Sequence, residues 1–257
     1  KSAGQIEEPA PSPQGSRGAY LVRTLEHCQE CHSPRNRLQG LTTPALGGGA
    51  VGPWRAYNIT PGRLGGIGGW SDHDIVDYLK TGAAHDVATA NAAGPMAEVV
   101  ENSTSKLADV DLQAMVTYLR SVPAVDAAAT HPRYGAGKPW LDVDRLRNGK
   151  RYLAPDQMQD GAVLFNANCA TCHSYSGEGV GEYPRLIGNT VMGDSDTGNL
   201  TQVILHGVHR KTAAADIFMP GFDNLSNAQI VALEKFLYRQ FGHREALPSS
   251  TSVQQAR

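Results

Sequence analysis

Several features are scarce or missing in this 257-residue chain, and each absence excludes a class of protein. No apolar run approaches the ~20 residues that a membrane helix needs, so the chain is expected to be soluble. The formal net charge is only −2, which argues against a nucleic-acid partner. Aromatic residues make up 7% of the chain, a modest supply for a hydrophobic core of this size. Cysteine is limited to four residues in two short motifs, which leaves none for a structural disulfide.

The two motifs are copies of Cys-x-x-Cys-His, at 28–32 and at 169–173. Two thiols at this spacing reach the edge of one porphyrin as thioethers, and the adjacent histidine then presents its imidazole to one face of the iron. The pattern therefore predicts two covalently bound haem c groups, each with its iron. The thioethers would form at Cys28, Cys31, Cys169 and Cys172, and the iron-binding imidazoles would be those of His32 and His173.

Zinc binding and dithiol redox chemistry also use paired cysteines. The two pairs together would supply four soft ligands for a tetrahedral zinc site. Neither chemistry requires a histidine directly after the second cysteine in both copies, so haem attachment is favoured. A haem also accounts for part of the modest aromatic content, because it adds a large apolar plate around which a small helical domain can pack.

The separation of the motifs, 169 − 28 = 141 positions, suits one haem domain each. Apolar residues at helical spacing, with helix starts at Ser71 and Ser226, predict an all-α fold of two class I-type cytochrome c domains. The predicted segments are a flexible N-terminal arm at 1–15, a first cytochrome c domain at 16–122, a Pro/Ala-rich linker at 123–156, a second cytochrome c domain at 157–243 and a polar C-terminal tail at 244–257.

Each half also contains a methionine suited to the sixth coordination position of the iron. Met96 and Met219 both lie in loops just ahead of the last helix of their half. A thioether is a soft ligand, and His/Met ligation raises the reduction potential relative to harder ligand pairs. Met115 falls on the apolar stripe of a helix and is expected in the core. The alternatives are His73 and His85 for the first iron and Met192 for the second.

Other residues are candidates for orienting the haems. Pro44 follows His32 by 44 − 32 = 12 positions and Pro184 follows His173 by 184 − 173 = 11, so a backbone carbonyl near each proline is expected to bind the second imidazole nitrogen. Arg185 is a candidate for neutralising a haem propionate, with an exposed loop position as the alternative. Propionate bonding and plain packing are equally open for Trp54, Arg55, Tyr57 and Trp70.

With these motifs in place, the chain resembles the cytochrome c subunits of bacterial membrane-bound alcohol, gluconate and related sugar or aldehyde dehydrogenases. The stretches that carry the resemblance are 18–22, 28–35, 58–61, 66–71, 94–100 and the second haem domain with Met219 and Pro220. Members of that family usually have three haem domains, and this chain resembles the second and third. The resemblance implies a periplasmic dehydrogenase as electron donor, and quinone, an oxidase or another cytochrome as acceptor.

Location follows from the attachment chemistry. Covalent haem attachment takes place outside the bacterial cytoplasm, so a periplasmic protein is expected. The chain begins at Lys1, and we expect a processed or trimmed product. Membrane contact is expected only through a partner, because no amphipathic anchor stands out at 248–257.

Electron transfer is the function that these features favour. In that interpretation the chain is a di-haem c-type cytochrome and not itself an enzyme; it passes electrons from a periplasmic dehydrogenase towards the respiratory chain. The alternative is a di-haem enzyme, either a peroxidase or a thiosulfate-oxidising cytochrome, which needs an open or labile iron site or a cysteine ligand. A methionine candidate in each half disfavours it. A redox or gas sensor would usually be joined to a signalling module, and the sequence shows none.

Overall fold

The computed structural model describes residues 12–86, 89–126, 130–141, 157–242 and 247–257. The chain divides into two compact units, and each unit contains one Cys-x-x-Cys-His motif. The first unit takes its described residues from 1–88, 92–132 and 210–216, and the second from 89–91, 133–209 and 217–257. Most of the predicted N-terminal arm, at 1–11, and most of the predicted linker, at 127–129 and 142–156, lie outside the described residues.

Helices form most of the regular structure. They are α1 (Pro13–Tyr20), α2 (Gln29–His32), α3 (Asp72–Thr81), α4 (Pro95–Asn102), α5 (Asp109–Ser121), α6 (Gln157–Asn168), α7 (Ala170–His173), α8 (Gly198–His206), α9 (Asn227–Phe241) and α10 (Ser250–Ala256). A π-helical turn at Leu21–Leu25 continues α1, and a 3-10 turn at Thr104–Lys106 precedes α5. Within the described ranges, no helix is both long and apolar enough to cross a membrane.

The prediction of an all-α fold is wrong, because three two-stranded sheets accompany the helices. Their strands are β1 (Gly49–Val51) with β2 (Trp54–Ala56), β3 (Ala83–Ala84) with β4 (Ala90–Asn91), and β5 (Val208–Lys211) with β6 (Asp216–Met219). Helix makes up about 43% of the structure and strand about 10%, so the fold is mixed. Strands of two to four residues are too short to show an alternating pattern in the sequence.

A crossing of the first and last helices organises the first unit. Helix α1 packs on α5 at Gly18, where an added Cβ would collide with the carbonyl of Ala114 and lie 2.9 Å from the Cβ of Tyr118. The missing side chain is therefore what lets the two backbones approach. Leu21 and Met115 fill the core of this unit, and Met115 is 1% exposed, which confirms its predicted core position.

The predicted helix starts at Ser71 and Ser226 are confirmed. Each serine Oγ accepts a hydrogen bond from the backbone N–H of the third helical residue, and the side chain of that residue accepts one from the serine N–H. The third residues are Asp74 and Gln229. These reciprocal bonds satisfy N–H groups that the first helical turn leaves without partners. Helix α3 ends at its C-cap Gly82, which has φ +82°, a conformation that glycine adopts readily.

The second unit repeats the helix crossing with α6 against α9. Gly161 is the contact, because a Cβ there would collide with the carbonyl of Ala232 and lie 2.6 Å from the Cβ of Phe236. Around it the rings of Phe165, Phe236 and Phe241 meet with centroids 5.3 to 5.8 Å apart. This aromatic cluster gives the small unit a dense core despite the low aromatic content of the chain.

Segments predicted as arm, linker and tail contain regular structure or packed residues. Helix α1 already begins after its N-cap Ser12, inside the predicted arm. The linker residue Trp140 packs its ring edge-on against Phe236, with centroids 5.1 Å apart. The tail contains α10, whose Val253 is fully buried. Val253 is the one large apolar residue of α10, so the tail gave no helical pattern from which this packing could be predicted.

The first residues after α5 hold a loop of the first unit in place. The carboxylate of Asp126 accepts hydrogen bonds from the N–H groups of Arg63, Leu64 and Gly65, at 2.9, 2.8 and 3.0 Å. Bonds from three N–H groups, that of Gly65 first, favour the charged form and lower the pKa of Asp126 below its ordinary value. The start of the predicted linker therefore belongs to the first unit.

Candidate functional site

In the first unit the Cys-x-x-Cys-His stretch forms the short helix α2. The carbonyl of Cys28 accepts hydrogen bonds from the N–H groups of Cys31 and His32, at 3.3 and 2.9 Å. The two cysteines and the histidine therefore lie within one helical turn, as attachment to a single porphyrin requires. Burial raises the pKa of the Cys28 thiol to about 12, so near neutral pH this thiol is protonated.

The second unit repeats this turn in α7. The carbonyl of Cys169 accepts from the N–H groups of Cys172 and His173, at 3.2 and 2.9 Å, and burial raises the pKa of Cys169 to about 12. All four cysteines are free thiols in the structure. A zinc site would need a cluster of His, Cys, Asp or Glu, and the described part of the chain has no such group of three or more.

Both motif histidines bind a backbone carbonyl through Nδ1. The Nδ1 of His32 lies 2.6 Å from the carbonyl oxygen of Tyr57, and the Nδ1 of His173 lies 2.9 Å from that of Pro184. A carbonyl oxygen can only accept, so each Nδ1 carries the proton and donates. The lone pair of Nε2 is then available for a metal, and the ring orientation is set by the backbone.

The acceptors fit the sequence prediction in one unit and not in the other. In the second unit the carbonyl belongs to Pro184 itself. In the first unit the expectation of a carbonyl near Pro44 is wrong, because the acceptor is Tyr57, directly after β2. Tyr57 reaches the histidine because the β1–β2 hairpin, which lies between α2 and Tyr57 in the sequence, turns the chain back towards α2. The two-residue turn of the hairpin begins at Gly52, with φ +56°.

Burial also shifts the pKa of the histidine in the second motif. His173 is 8% exposed, and burial lowers its pKa while the bond to Pro184 opposes this shift. A lowered pKa favours the neutral imidazole, which is the form that binds a metal.

The two predicted methionine ligands occupy different local structures. Met96 is the second residue of α4, after the N-cap Gly94, and Met219 is the last residue of β6. Both side chains are half-buried, so neither is committed to a core. Met192, the weaker candidate for the second iron, is 2% exposed within the core cluster of its unit. The alternative His73 is exposed, with its Nδ1 3.0 Å from a carboxylate oxygen of Asp77.

Two residues proposed as propionate partners have distinct surroundings. Trp70 is buried, and among the described residues its indole Nε1 has no hydrogen-bond partner. A buried donor in this state costs free energy unless an acceptor reaches it, and a haem propionate would be such an acceptor. The residues of the first unit therefore fit a haem. Arg185 is half-exposed and pairs with Glu178 at 3.0 Å, so its positive charge is already partly balanced.

Comparison with known families matches residues 158–239 to the cytochrome c family. These residues form a cytochrome c domain. The match covers the second Cys-x-x-Cys-His motif and Met219, and it assigns a covalently bound haem c to this domain.

The whole chain is also similar to named dehydrogenase subunits. It is 42% identical over 94% of its length to a fructose dehydrogenase cytochrome subunit of Gluconobacter japonicus. It is 30% identical over 98% of its length to the cytochrome c subunit of an alcohol dehydrogenase (quinone) of Gluconobacter oxydans, and 29% identical over 90% to a gluconate 2-dehydrogenase cytochrome c subunit of Pantoea cypripedii. The chain spans about half the length of these relatives, 52% to 53%. The resemblance to this family is confirmed.

Some residues that shape the site were missed by sequence reasoning. The carbonyl of Tyr57 carries no side-chain signal, because any residue offers the same acceptor. Gly18 and Gly161 could have been found from the sequence, because a glycine precedes the first cysteine of each haem motif at a similar distance. The distances are 28 − 18 = 10 and 169 − 161 = 8 residues. Gly94 also has one, because a glycine followed by Pro95 directly precedes Met96.

Proposed function

We propose that this protein is a di-haem c-type cytochrome that transfers electrons from a periplasmic dehydrogenase towards the respiratory chain. The observation that carries the proposal is the repeated histidine geometry. In each unit the histidine after the second cysteine donates Nδ1–H to a backbone carbonyl, at 2.6 Å for His32 and 2.9 Å for His173. An imidazole held in this way has its Nε2 directed for one permanent metal bond.

Each part of the site then has a definite role. Bound haem supplies a one-electron ferric/ferrous couple. The cysteines would fix the porphyrin edge, the carbonyls of Tyr57 and Pro184 would hold the two imidazoles in one tautomer, and Met96 and Met219 would close the opposite faces. Ligands that stay the same in both oxidation states keep reorganisation small, which suits electron transfer and leaves no position for a substrate.

The similarity to dehydrogenase cytochrome subunits supports the choice of partner. We infer that the electron donor is a dehydrogenase acting on a small organic substrate in the periplasm, and that quinone, an oxidase or another cytochrome accepts the electrons. Membrane contact would arise through these partners. Arg185, half-exposed beside Glu178, stays a proposed propionate partner for the second haem.

The number of haems is tested by counting covalent haem in the purified protein and in two double variants. Intact mass and the haem absorption per chain should show two haems in the parent. Replacement of Cys28 and Cys31 by serine should leave one haem, and replacement of Cys169 and Cys172 should also leave one. Two haems in either variant, or one in the parent, would contradict the proposal.

Carbon monoxide tests whether the iron sites are closed. We expect the oxidised protein to take up two electrons per chain on reduction. The fully reduced protein should then bind carbon monoxide only slowly, because a methionine must first leave the iron. Met96→Ala and Met219→Ala should each convert one haem to rapid binding. Rapid binding by the parent would favour a di-haem enzyme instead.

A further inference from the structure

We propose that Trp54 is a positioning residue for Met96, so that the β1–β2 hairpin holds both axial ligands of the first haem. The inference rests on the proposed function, since it takes His32 and Met96 as the two ligands. It concerns a hairpin that the sequence did not predict.

One side of the hairpin is seated on the haem-attachment helix α2. The N–H of Gly48 donates to the carbonyl of His32 at 2.8 Å. A Cβ on Gly49 would collide with the carbonyls of Cys31 and Ser33, so the strand backbone lies directly against the motif. At the other end of the hairpin Tyr57 accepts from the histidine Nδ1. The hairpin is thus bonded to the histidine ligand before β1 and after β2.

The side chain of Trp54 reaches the methionine segment. Trp54 is half-buried and pairs with Val51 across the hairpin turn. A Cβ added to Gly94 would fall among the atoms of the Trp54 indole ring, with Cδ2 at 2.7 Å. The ring therefore packs on the backbone of the residue that caps α4, two positions before Met96.

This contact fixes a backbone that would otherwise be poorly restrained. Gly94 has φ +52° and ψ −138°, a conformation that side-chain-bearing residues rarely adopt, and glycine itself occupies many others. Its carbonyl accepts the N–H groups of Ala97 and Glu98, at 2.9 and 3.4 Å, and so starts the helical turn that contains Met96. An aromatic plate against Gly94 selects the conformation that presents the methionine.

The second domain provides an internal control. No tryptophan occurs between Cys169 and Met219, and Met219 ends a strand instead of beginning a helix. There the backbone near the methionine is fixed differently: a Cβ on Gly207 would collide with the carbonyl of Met219. Changes at Trp54 should consequently affect one haem and leave the other unaltered.

The test is a titration of the oxidised holoprotein with imidazole. Binding is monitored through the loss of the near-infrared sulfur-to-iron band. Imidazole binds iron only when methionine has left, so its apparent affinity reports the population of the methionine-off state. We expect Trp54→Leu to bind imidazole at one haem about tenfold or more tightly than the parent, with a lower potential for that haem. The imidazole affinity of the second haem should stay at its parent value.

Two variants separate positioning from general destabilisation. Trp54→Phe retains a flat ring and should restore most of the parent affinity. Trp140→Leu is the matched control: it removes a half-buried tryptophan from the second unit, and it should leave the imidazole affinity of the first haem unchanged. Tightening at the first haem in Trp140→Leu equal to that in Trp54→Leu, or parent-like binding in Trp54→Leu, would overturn the inference.

Met96→Ala distinguishes this inference from the proposed function. If Met96→Ala keeps the whole sulfur-to-iron band, Met96 is not a ligand and the proposed site is wrong. If Met96→Ala loses about half of the band while Trp54→Leu matches the parent, the ligand stands and only the positioning role fails.

Discussion

Glu234 makes the stability of the second unit depend on pH. This residue of α9 is fully buried, and its Oε1 accepts a hydrogen bond from the hydroxyl of Thr201 in α8 at 2.5 Å. Among the described residues its Oε2 is buried without a partner. Burial raises the pKa of Glu234 to about 7, against the opposing effect of the Thr201 bond. The perturbation that tests this account is Glu234→Gln, which keeps the acceptor for Thr201 and cannot ionise.

The direction and size of the effect follow from proton linkage. The folded chain holds a proton on Glu234 that the unfolded chain releases above the ordinary pKa of 4.5. The contribution of Glu234 to the stability of the parent therefore falls as pH rises from 4.5 to about 7, and stays constant above that range. A difference of 7 − 4.5 = 2.5 pKa units corresponds to about 3 kcal/mol of unfolding free energy. Glu234→Gln should not lose stability in this way, because glutamine does not ionise.

The assay is guanidinium unfolding of both oxidised holoproteins, followed by far-ultraviolet circular dichroism at pH 5 and pH 8. The unfolding free energy of Glu234→Gln minus that of the parent should be about 2–3 kcal/mol larger at pH 8 than at pH 5, because part of the full effect is already present at pH 5. The nine histidines and the haems are the same in both proteins, so their own pH effects cancel in the difference. A difference that does not change with pH would refute a protonated Glu234. Glu182→Gln, at an exposed glutamate of the same unit, should show no such change.

Three further predictions concern the loop, the helix crossing and the attachment motif. Asp126→Asn should reduce stability at pH 7 and much less at low pH, because the lowered pKa of Asp126 means that its contribution is lost as pH falls through the folded-state pKa; urea unfolding at several pH values measures this. Gly161→Ala should lower the unfolding free energy by about 1–3 kcal/mol, because the methyl group meets the Ala232 carbonyl, and thermal unfolding would show it. His32→Ala should lower covalent haem content more than Met96→Ala, since the histidine belongs to the attachment motif; equal haem content in both variants would contradict this.

The parts of the fold that sequence predicts well are those that repeat a local pattern. The serine caps at Ser71 and Ser226 could be predicted, because capping chemistry acts within a few residues. The site residues were predicted from their spacing, and Met115 was placed in the core because it falls on an apolar stripe.

The parts that sequence does not predict depend on contacts between distant segments. The hairpin at 49–56 has no pattern of its own and forms where Gly49 lies against the carbonyls of the haem motif. The histidine bond to Tyr57 uses a backbone atom, so the side chain gives no signal for it. Val253 packs into a core whose other members lie far away in the chain.

The central claim, two His/Met haems in one electron-transfer protein, is tested most directly by an optical redox titration of the purified holoprotein. The near-infrared sulfur-to-iron band should be recorded in the oxidised state of the same sample. We expect two one-electron steps at moderately positive potentials, with a band intensity that corresponds to two methionine-ligated irons. One high-spin haem, or one of very low potential without its share of the band, would contradict it and make that iron the candidate active site of an enzyme.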